Sequence, residues 1–334
     1  MHFPHLLRTG PTGSAGQGAI MLSTAMSALH EPPFVAARHP GTDEVAAQSL
    51  AWAGRLGLVD AGPRQRRLGR AAAAELAGRT CPAAPLDRLR LLTDLITWLF
   101  VMDDACDEDG LGTEAARLAP VVAALLDVLD RIGGPDEETR GAAGPLGSAL
   151  ADICRRVRDQ HRPALLLRLV SQLREYLLAL LWEAANRERR RVPGLTEYVQ
   201  MRRHTGGARP SLTLTDLAYD GQPGVGRRSA PEVLALDDLT TDLVCWCNDL
   251  FSHRKERRAE SDAQNLVTVL AAQAGLDGDS AFRVAADRFN EGLARYLARD
   301  SALAADPALA SFLAARRAWI RATYDWSLRA DRYA

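Results

Sequence analysis

Asn248, Ser252 and Glu256 recur every four positions within the stretch N-D-L-F-S-H-R-K-E. On a helix this spacing puts the three side chains on one face, one turn apart. An amide oxygen, a hydroxyl and a carboxylate then stand in line as hard oxygen donors. Such a set suits Mg²⁺, which keeps several waters and binds through few protein groups plus substrate phosphates. A solvated helix face produces the same polar row, so the row alone does not decide. One further feature marks the stretch. Lysine and arginine together number 41, and the single lysine among them is Lys255. A compact, strongly hydrated charge stands here where the rest of the chain uses guanidinium groups.

A second group follows an apolar run that ends in Phe100-Val101-Met102. Asp103 and Asp107 are four apart, Asp104 and Asp107 three apart, so all three are expected on one helical face. Like charges repel there, and the C-terminal end of a helix disfavours anions through its dipole. Two unfavourable terms in one place call for a cation, and a divalent metal is the natural candidate. The competing reading is a solvated acidic loop, because Glu108, Asp109 and Gly110 continue the run. If the two groups face each other across one hollow, they would hold several Mg²⁺ ions over an apolar pocket. A hydrocarbon carrying a diphosphate fits such a pocket, where neutralising the leaving group lets the C–O bond break without a nucleophile.

These residues need helices to position them. Apolar residues recur at helical spacing from Thr42 almost to the C-terminus, with breaks at Pro82 and Pro85, Gly133-Gly134, Pro193-Gly194, Gly206-Gly207 and the turn-rich run 220–231. The spacing predicts helices over 44–56, 71–76, 86–102, 113–132, 144–157, 164–191, 195–203, 210–218, 232–259, 263–274, 280–298 and 307–328. Period-two alternation is absent and no fixed repeat is found. The fold class is therefore all-α. A single-domain bundle of about eleven or twelve helices around a central apolar cavity is the economical architecture. A Gly/Ser/Thr-rich flexible segment is expected over 1–30, with the helical domain over 31–334.

Bulk properties exclude several classes. The net charge of −1 supplies no field to recruit nucleic acid or an anionic membrane, and no aromatic ladder interleaves the arginine clusters. No run of apolar residues is long enough for a membrane span. Five scattered cysteines argue against a disulfide framework and for a reducing, cytoplasmic setting. Cys245 and Cys247 point to different sides of one helix and make no zinc pair.

With these motifs in order, the chain resembles the bacterial-type class I terpene synthases (terpene cyclases) from about Pro32 to its end. The Asp-rich motif stands as D-D-A-C-D at Asp103–Asp107. The second metal motif of that family, N-D-x-x-S-x-x-K-E, stands at Asn248–Glu256. Arg332-Tyr333, preceded by Trp326, resembles the family's C-terminal arginine–tyrosine pair. Arg202-Arg203-His204-Thr205-Gly206-Gly207 resembles its R-R-x-T-x-G segment. Further family-like words are Trp182-Glu183 with Asn186-Arg187, and Asn265-Leu266-Val267.

The resemblance implies a single class I α-domain and a Mg²⁺-dependent cyclase acting on an isoprenyl diphosphate, most simply farnesyl diphosphate. Asp103 would bridge two Mg²⁺ ions with Asp104 and Asp107 in the same cluster, and Asn248, Ser252 and Glu256 would hold a third. Mn²⁺ would be able to substitute. Lys255, Arg332 and one of Arg202 or Arg203 would grip the diphosphate, with Tyr333 donating a hydrogen bond. Gly206-Gly207 would aim a backbone carbonyl at the developing cation. Phe100, Trp326 and, less strongly, Trp98 would line the cavity with ring faces that attract carbocations. Trp182 reads as core, and His204 and His253 as surface or structural residues. The chain lacks the D-x-D-D word of protonation-initiated cyclases and a second D-D-x-x-D. Two competing functions remain at this point: a prenyltransferase that couples an allylic diphosphate to a second substrate, and a helical binding protein with a relic site. Geranyl and geranylgeranyl diphosphate remain alternative substrates, and a homodimer is compatible with these features. Asp103→Ala is expected to abolish diphosphate release while the circular dichroism stays that of the wild type. Turnover near the wild-type rate would remove Asp103 from the bridging role.

Overall fold

Buried side chains occupy every side of the middle stretches 91–99 and 239–247 of two long helical segments, Leu86–Asp107 and Pro231–Arg258, and a stretch buried all round belongs in an interior. The rest of the chain wraps around them. The computed structural model describes residues 28–60, 62–132, 137–219, 223–258 and 264–329; for 137–142 and 254–258 it describes the helical backbone alone. In chain order the helices are α1 (Thr42–Arg55), α2 (Pro63–Ala71), α3 (Ala73–Thr80), α4 (Leu86–Asp107), α5 (Ala115–Asp130), α6 (Glu137–Arg158) and α7 (Pro163–Glu188). There follow α8 (Leu195–Thr205), α9 (Ala208–Ala218), α10 (Val225–Arg228), α11 (Pro231–Arg258), α12 (Leu266–Ala274), α13 (Gly278–Leu303) and α14 (Ala310–Arg329). Two short 3₁₀ turns, Leu111–Thr113 and Pro307–Leu309, join neighbours. No strand occurs among the described residues, as the missing alternation predicts.

Two apolar clusters form the core. One gathers α1, α3, α4, α5, α6, α7 and α9 around Trp98, Leu92, Leu95 and Leu173. The other gathers α11, α12, α13 and α14 around Trp246, Phe289, Phe312 and Leu266. Helices α11 and α14 belong to both. Val244 and Cys245 face the first cluster while Leu243, Trp246 and Cys247 face the second. Trp319 and Trp326 face the first, Ile320 and Tyr324 the second. The two cysteines of α11 thus point to opposite sides.

Start and stop signals account for many boundaries. Pro163 opens α7, where its missing N–H is no loss. Asn265 caps α12 by accepting from Val267 N, and Asp277 caps α13 by accepting from Ser280 N. The stop expected at Gly133-Gly134 lies outside the described residues, as does most of the N-terminal segment (1–27). Two helices escape the sequence pattern. Helix α10 is a single turn. Helix α2 carries Arg64, Arg66, Arg67 and Arg70 with one buried leucine, Leu68, so no apolar stripe announces it. It is held instead by ion pairs from Arg64 and Arg67 to Asp109. Trp98 is fully buried and donates its ring N–H to Leu146 O at 2.9 Å, which makes it core and not cavity wall.

Arginine also braces the interior. Arg316 of α14 is buried and pairs with Asp216 of α9 and, at 2.8 Å, with Asp237 of α11. Its guanidinium lies 4.0 Å from the Phe312 ring centroid. Arg168 of α7 reaches Asp216 at 2.7 Å, and Arg228 reaches Asp237. Five helices, α7, α9, α10, α11 and α14, are tied at one point. Asp237 is therefore a structural anion here, in keeping with the absence of a D-x-D-D word. Removing one member of a buried pair strands the other, at a cost of about 3–5 kcal/mol. Arg316→Met is expected to lower stability by about that amount in urea unfolding. An unchanged midpoint would show that the network adds nothing net.

Candidate active site

One cavity opens between α3, α4, α7, α8, α9, α11 and α14. Its two ends differ in chemistry. The polar end carries Asp103 and Asp107 of α4, Glu183 and Arg187 of α7, Arg202 of α8, and Asn248, Asp249 and Ser252 of α11. The apolar part carries Leu76, Ile96, Leu99, Phe100, Val244, Trp319 and Trp326. The two motifs, far apart in sequence, therefore meet across a shared hollow.

Helix α4 delivers Asp103 one turn beyond Phe100, so a single helix face supplies both the carboxylate and the ring beneath it. Phe100 stacks on Trp326, centroids 5.8 Å apart and ring planes 14° from parallel. Asp107 accepts from Arg187 Nη2 at 2.5 Å. Asp104 departs from the expectation. It does not line the cavity; it is buried on the other side of α4, with its carboxylate 3.9 Å from Arg67 Nε. Residues 103 and 104 are adjacent, and a helix turns adjacent side chains well apart. Part of the cation demanded by the acidic run is thus met by arginine: Arg67 at Asp104, Arg64 and Arg67 at Asp109, Arg187 at Asp107.

The choice between Arg202 and Arg203 is made by packing. Arg202 lines the cavity, donating from Nε to Asp249 Oδ1 at 3.0 Å and from Nη2 to Asn248 Oδ1 at 3.0 Å. Asp249 also accepts from the buried Tyr198 hydroxyl. Burial, the largest single effect, would lower the Arg202 guanidinium, but Asp249 together with Cys245, Tyr198 and Glu183 outweighs it and holds the pKa well above the ordinary arginine range. Arg203 does not line the cavity. It grips Asp242 with two hydrogen bonds of 2.7 and 2.8 Å and reaches Asp238 at 3.1 Å. His204 likewise stays out of the cavity, 3.2 Å from Glu175.

Gly206 and Gly207 form the break between α8 and α9 and line the cavity. Gly207 has φ +64°, the left-handed region where glycine is at ease. A Cβ on Gly206 would come within 2.5 Å of Cys245 Sγ, so the backbone approaches α11 too closely for any side chain. The Gly207 carbonyl accepts from Ser211 Oγ at 2.8 Å.

The second motif is braced from behind. Asn265, which caps α12, donates its amide to Asp249 O at 2.8 Å. Ser252 and Asn248 line the cavity from the same face of α11. Glu256 and Lys255 continue α11, and their side chains fall outside the described residues, as do Arg332 and Tyr333. Among the described residues no three His, Cys, Asp or Glu side chains stand together closely enough to hold a metal ion. Asp103 and Asp107 come from one helix; Asn248 and Ser252 of the facing helix offer an amide and a hydroxyl, and Asp249 beside them is engaged by Arg202 and Tyr198. Carboxylate, amide and hydroxyl oxygens suit a hard divalent cation shared between two walls and a phosphate.

Sequence reasoning gave no role to Tyr176, Glu183, Arg187, Asp249, Trp319 or Thr323, all of which line the cavity. Glu183 and Arg187 had a usable signal: opposite charges four apart near the end of an otherwise apolar helix. Burial pushes the Glu183 carboxyl up against the pull of Arg187 and Arg202. Thr323 and Trp319 had none, since their spacing reads as ordinary core.

Comparison with known proteins comes to the same place. Residues 94–295 match the family model described as terpene synthase family 2, C-terminal metal binding. Similar proteins include a (+)-T-muurolol synthase ((2E,6E)-farnesyl diphosphate cyclizing) of Roseiflexus castenholzii, 32% identical over 307 residues, covering 90% of this chain and 92% of that one. A (+)-eremophilene synthase of Sorangium cellulosum is 31% identical over 323 residues, covering 96% of each. Among solved structures, wild-type cucumene synthase superposes with a TM-score of 0.76 at 26% identity, covering 89% of this chain and 99% of that one. An α-eudesmol synthase has the same fold, TM-score 0.78 at 22% identity, covering 90% and 98%.

Arg202→Lys and Arg203→Lys separate the two arginines. The first is expected to lose most turnover, because a point charge cannot bridge Asn248, Asp249 and a phosphate at once. The second is expected to lower stability while leaving the rate of the folded fraction nearly intact. The reverse pattern in steady-state diphosphate release and thermal unfolding would exchange their roles.

Proposed function

The chain belongs to the terpene synthase family, and from that membership we propose that it cyclises farnesyl diphosphate to a C15 terpene with release of diphosphate. The observation that carries the reading is the cavity's division into a rim of oxygen donors and arginine and an interior of aromatic and aliphatic walls. The (+)-T-muurolol synthase relative, named for cyclising farnesyl diphosphate, supports the substrate.

Asp103, Asp107, Asn248 and Ser252 are the described residues that would hold the metal, with Glu256 completing the second group; three Mg²⁺ ions, replaceable by Mn²⁺, are the proposed complement. Bound there, the metal supplies positive charge to the diphosphate oxygens as the allylic C–O bond breaks. Arg202 senses the diphosphate from the opposite wall and exchanges its bond to Asn248 for one to phosphate. Lys255, Arg332 and Tyr333 complete the grip. Because Arg202 sits on the last turn of α8, that exchange pulls on the break at Gly206-Gly207. A backbone carbonyl at that break meets the developing cation as a preorganised dipole. Phe100, Trp319 and Trp326 shield the cation from bulk water and present ring faces to it. No helix among the described residues is long and apolar enough to cross a membrane, and we place the enzyme in the cytoplasm, acting on a substrate that partitions its apolar tail into the cavity.

The prenyltransferase alternative predicts a product longer than its allylic substrate, and the relatives do not favour it. Incubation with geranyl, farnesyl and geranylgeranyl diphosphate, each with and without isopentenyl diphosphate, separates the readings. The expected result is metal-dependent diphosphate release and a cyclic C15 product from farnesyl diphosphate, unchanged by isopentenyl diphosphate. Growth in product carbon number would make the chain a prenyltransferase, and no release from any substrate would leave it a binding protein.

A further inference from the structure

Five buried hydroxyls in these helices share one habit. Thr93 donates to Leu89 O, Ser211 to Gly207 O, Thr215 to Ser211 O, Thr240 to Leu236 O and Thr241 to Asp237 O. Each bonds the carbonyl four residues back, the local way for a helix to satisfy a buried hydroxyl. Thr323 of α14 departs from it. The residue is 3% exposed and lines the cavity, and its Oγ1 has no hydrogen-bond partner. Native interiors rarely leave a buried hydroxyl unpaired, because desolvation without a bond is costly.

The neighbours of Thr323 sharpen the point. Helix α14 contributes Trp319, Thr323 and Trp326 to the cavity wall, each one turn from the next. The ring N–H of Trp319 is committed to Thr215 Oγ1 at 2.7 Å, and that of Trp326 to Ala71 O at 3.1 Å. Thr323 therefore carries the uncommitted polar atom of that wall, set between two indole rings and close to the Phe100–Trp326 stack. Thr205 is another cavity-lining hydroxyl outside this habit, and its neighbour is the Glu183 carboxyl. It sits on the last turn of α8 with Arg202, near Glu183, and so belongs to the diphosphate end.

We propose that Thr323 holds a water molecule against the cyclised cation, so that this chain releases a terpene alcohol. The proposal rests on the terpene cyclase reading above. The hydroxyl supplies one strong partner to the water, and the indole faces supply weak ones. A water held in this way keeps a lone pair free. That pair forms the C–O bond to the cationic carbon, the resulting oxonium loses one proton to the released diphosphate, and nothing is oxidised or reduced. Thr323 is a positioning residue in this step: it touches the water and orients it, and the water is the nucleophile.

The test is product analysis by mass spectrometry after incubating the wild type, Thr323→Val and Thr323→Ser with farnesyl diphosphate and Mg²⁺ in H₂¹⁸O. The readout is the alcohol-to-hydrocarbon ratio, which does not depend on the total rate. The wild type is expected to yield an ¹⁸O-labelled alcohol. Valine keeps the shape and removes the hydroxyl, and should lower the ratio about tenfold, the rate equivalent of one hydrogen bond. Serine keeps the hydroxyl and should restore the ratio. A wild type that makes hydrocarbon alone, or a ratio unchanged in Thr323→Val, overturns the proposal while leaving the cyclase reading intact. Absence of diphosphate release from the wild type overturns both.

Discussion

The bond network around Arg202 is the interaction on which the rest depends. A guanidinium on the last turn of α8 is held by Asp249 and Asn248 of α11, and Asp249 is held in turn by Tyr198 and, through its carbonyl, by Asn265. Two helices and the start of a third are thereby registered at the rim of an apolar hollow. The charge is buried, so it is stable only while paired. That makes it a sensitive receiver: an incoming phosphate offers the arginine a second anion, and the Gly206-Gly207 break lies directly after it in the chain. The geometry couples arrival of the leaving group to movement of the backbone that faces the reacting carbon.

The arrangement also explains why charge and grease do not interfere. A carbocation needs walls that stabilise positive charge without attacking it, and a diphosphate needs the opposite. Helix α4 handles both by periodicity alone, with Asp103 one turn from Phe100. Helix α14 adds the indoles of Trp319 and Trp326 and fixes their orientation by tying each ring N–H to a distant helix. Fixed rings hold a defined contour, and contour is what folds a flexible isoprenoid one way instead of another.

Away from the cavity, arginine does the work that lysine shares in most chains. Arg316 with Asp216 and Asp237, and Arg203 with Asp238 and Asp242, each clamp helices with forked, multi-bond contacts. Such clamps need a planar donor. They also consume acidic residues: Asp237 and Asp238 serve structure, and Asp104, a candidate ligand by its spacing, faces Arg67.

The sequence by itself determined the fold class and the chemistry of the two motifs. Helical periodicity runs almost unbroken from Thr42, and the rows Asp103–Asp107 and Asn248–Glu256 state their donor types and spacing locally. It missed α2, because a helix held by Arg64 and Arg67 on Asp109 leaves no apolar pattern. It grouped Asp104 with Asp103, because spacing says which residues share a helix and not which side of that helix meets a cavity. Tertiary structure alone decided that the motifs share one hollow, that Arg202 faces it while Arg203 faces Asp242, and that Thr323 stands between two indoles. Those outcomes depend on how helices distant in sequence are packed and rotated against one another, and a side chain's role here follows from that rotation more than from its identity.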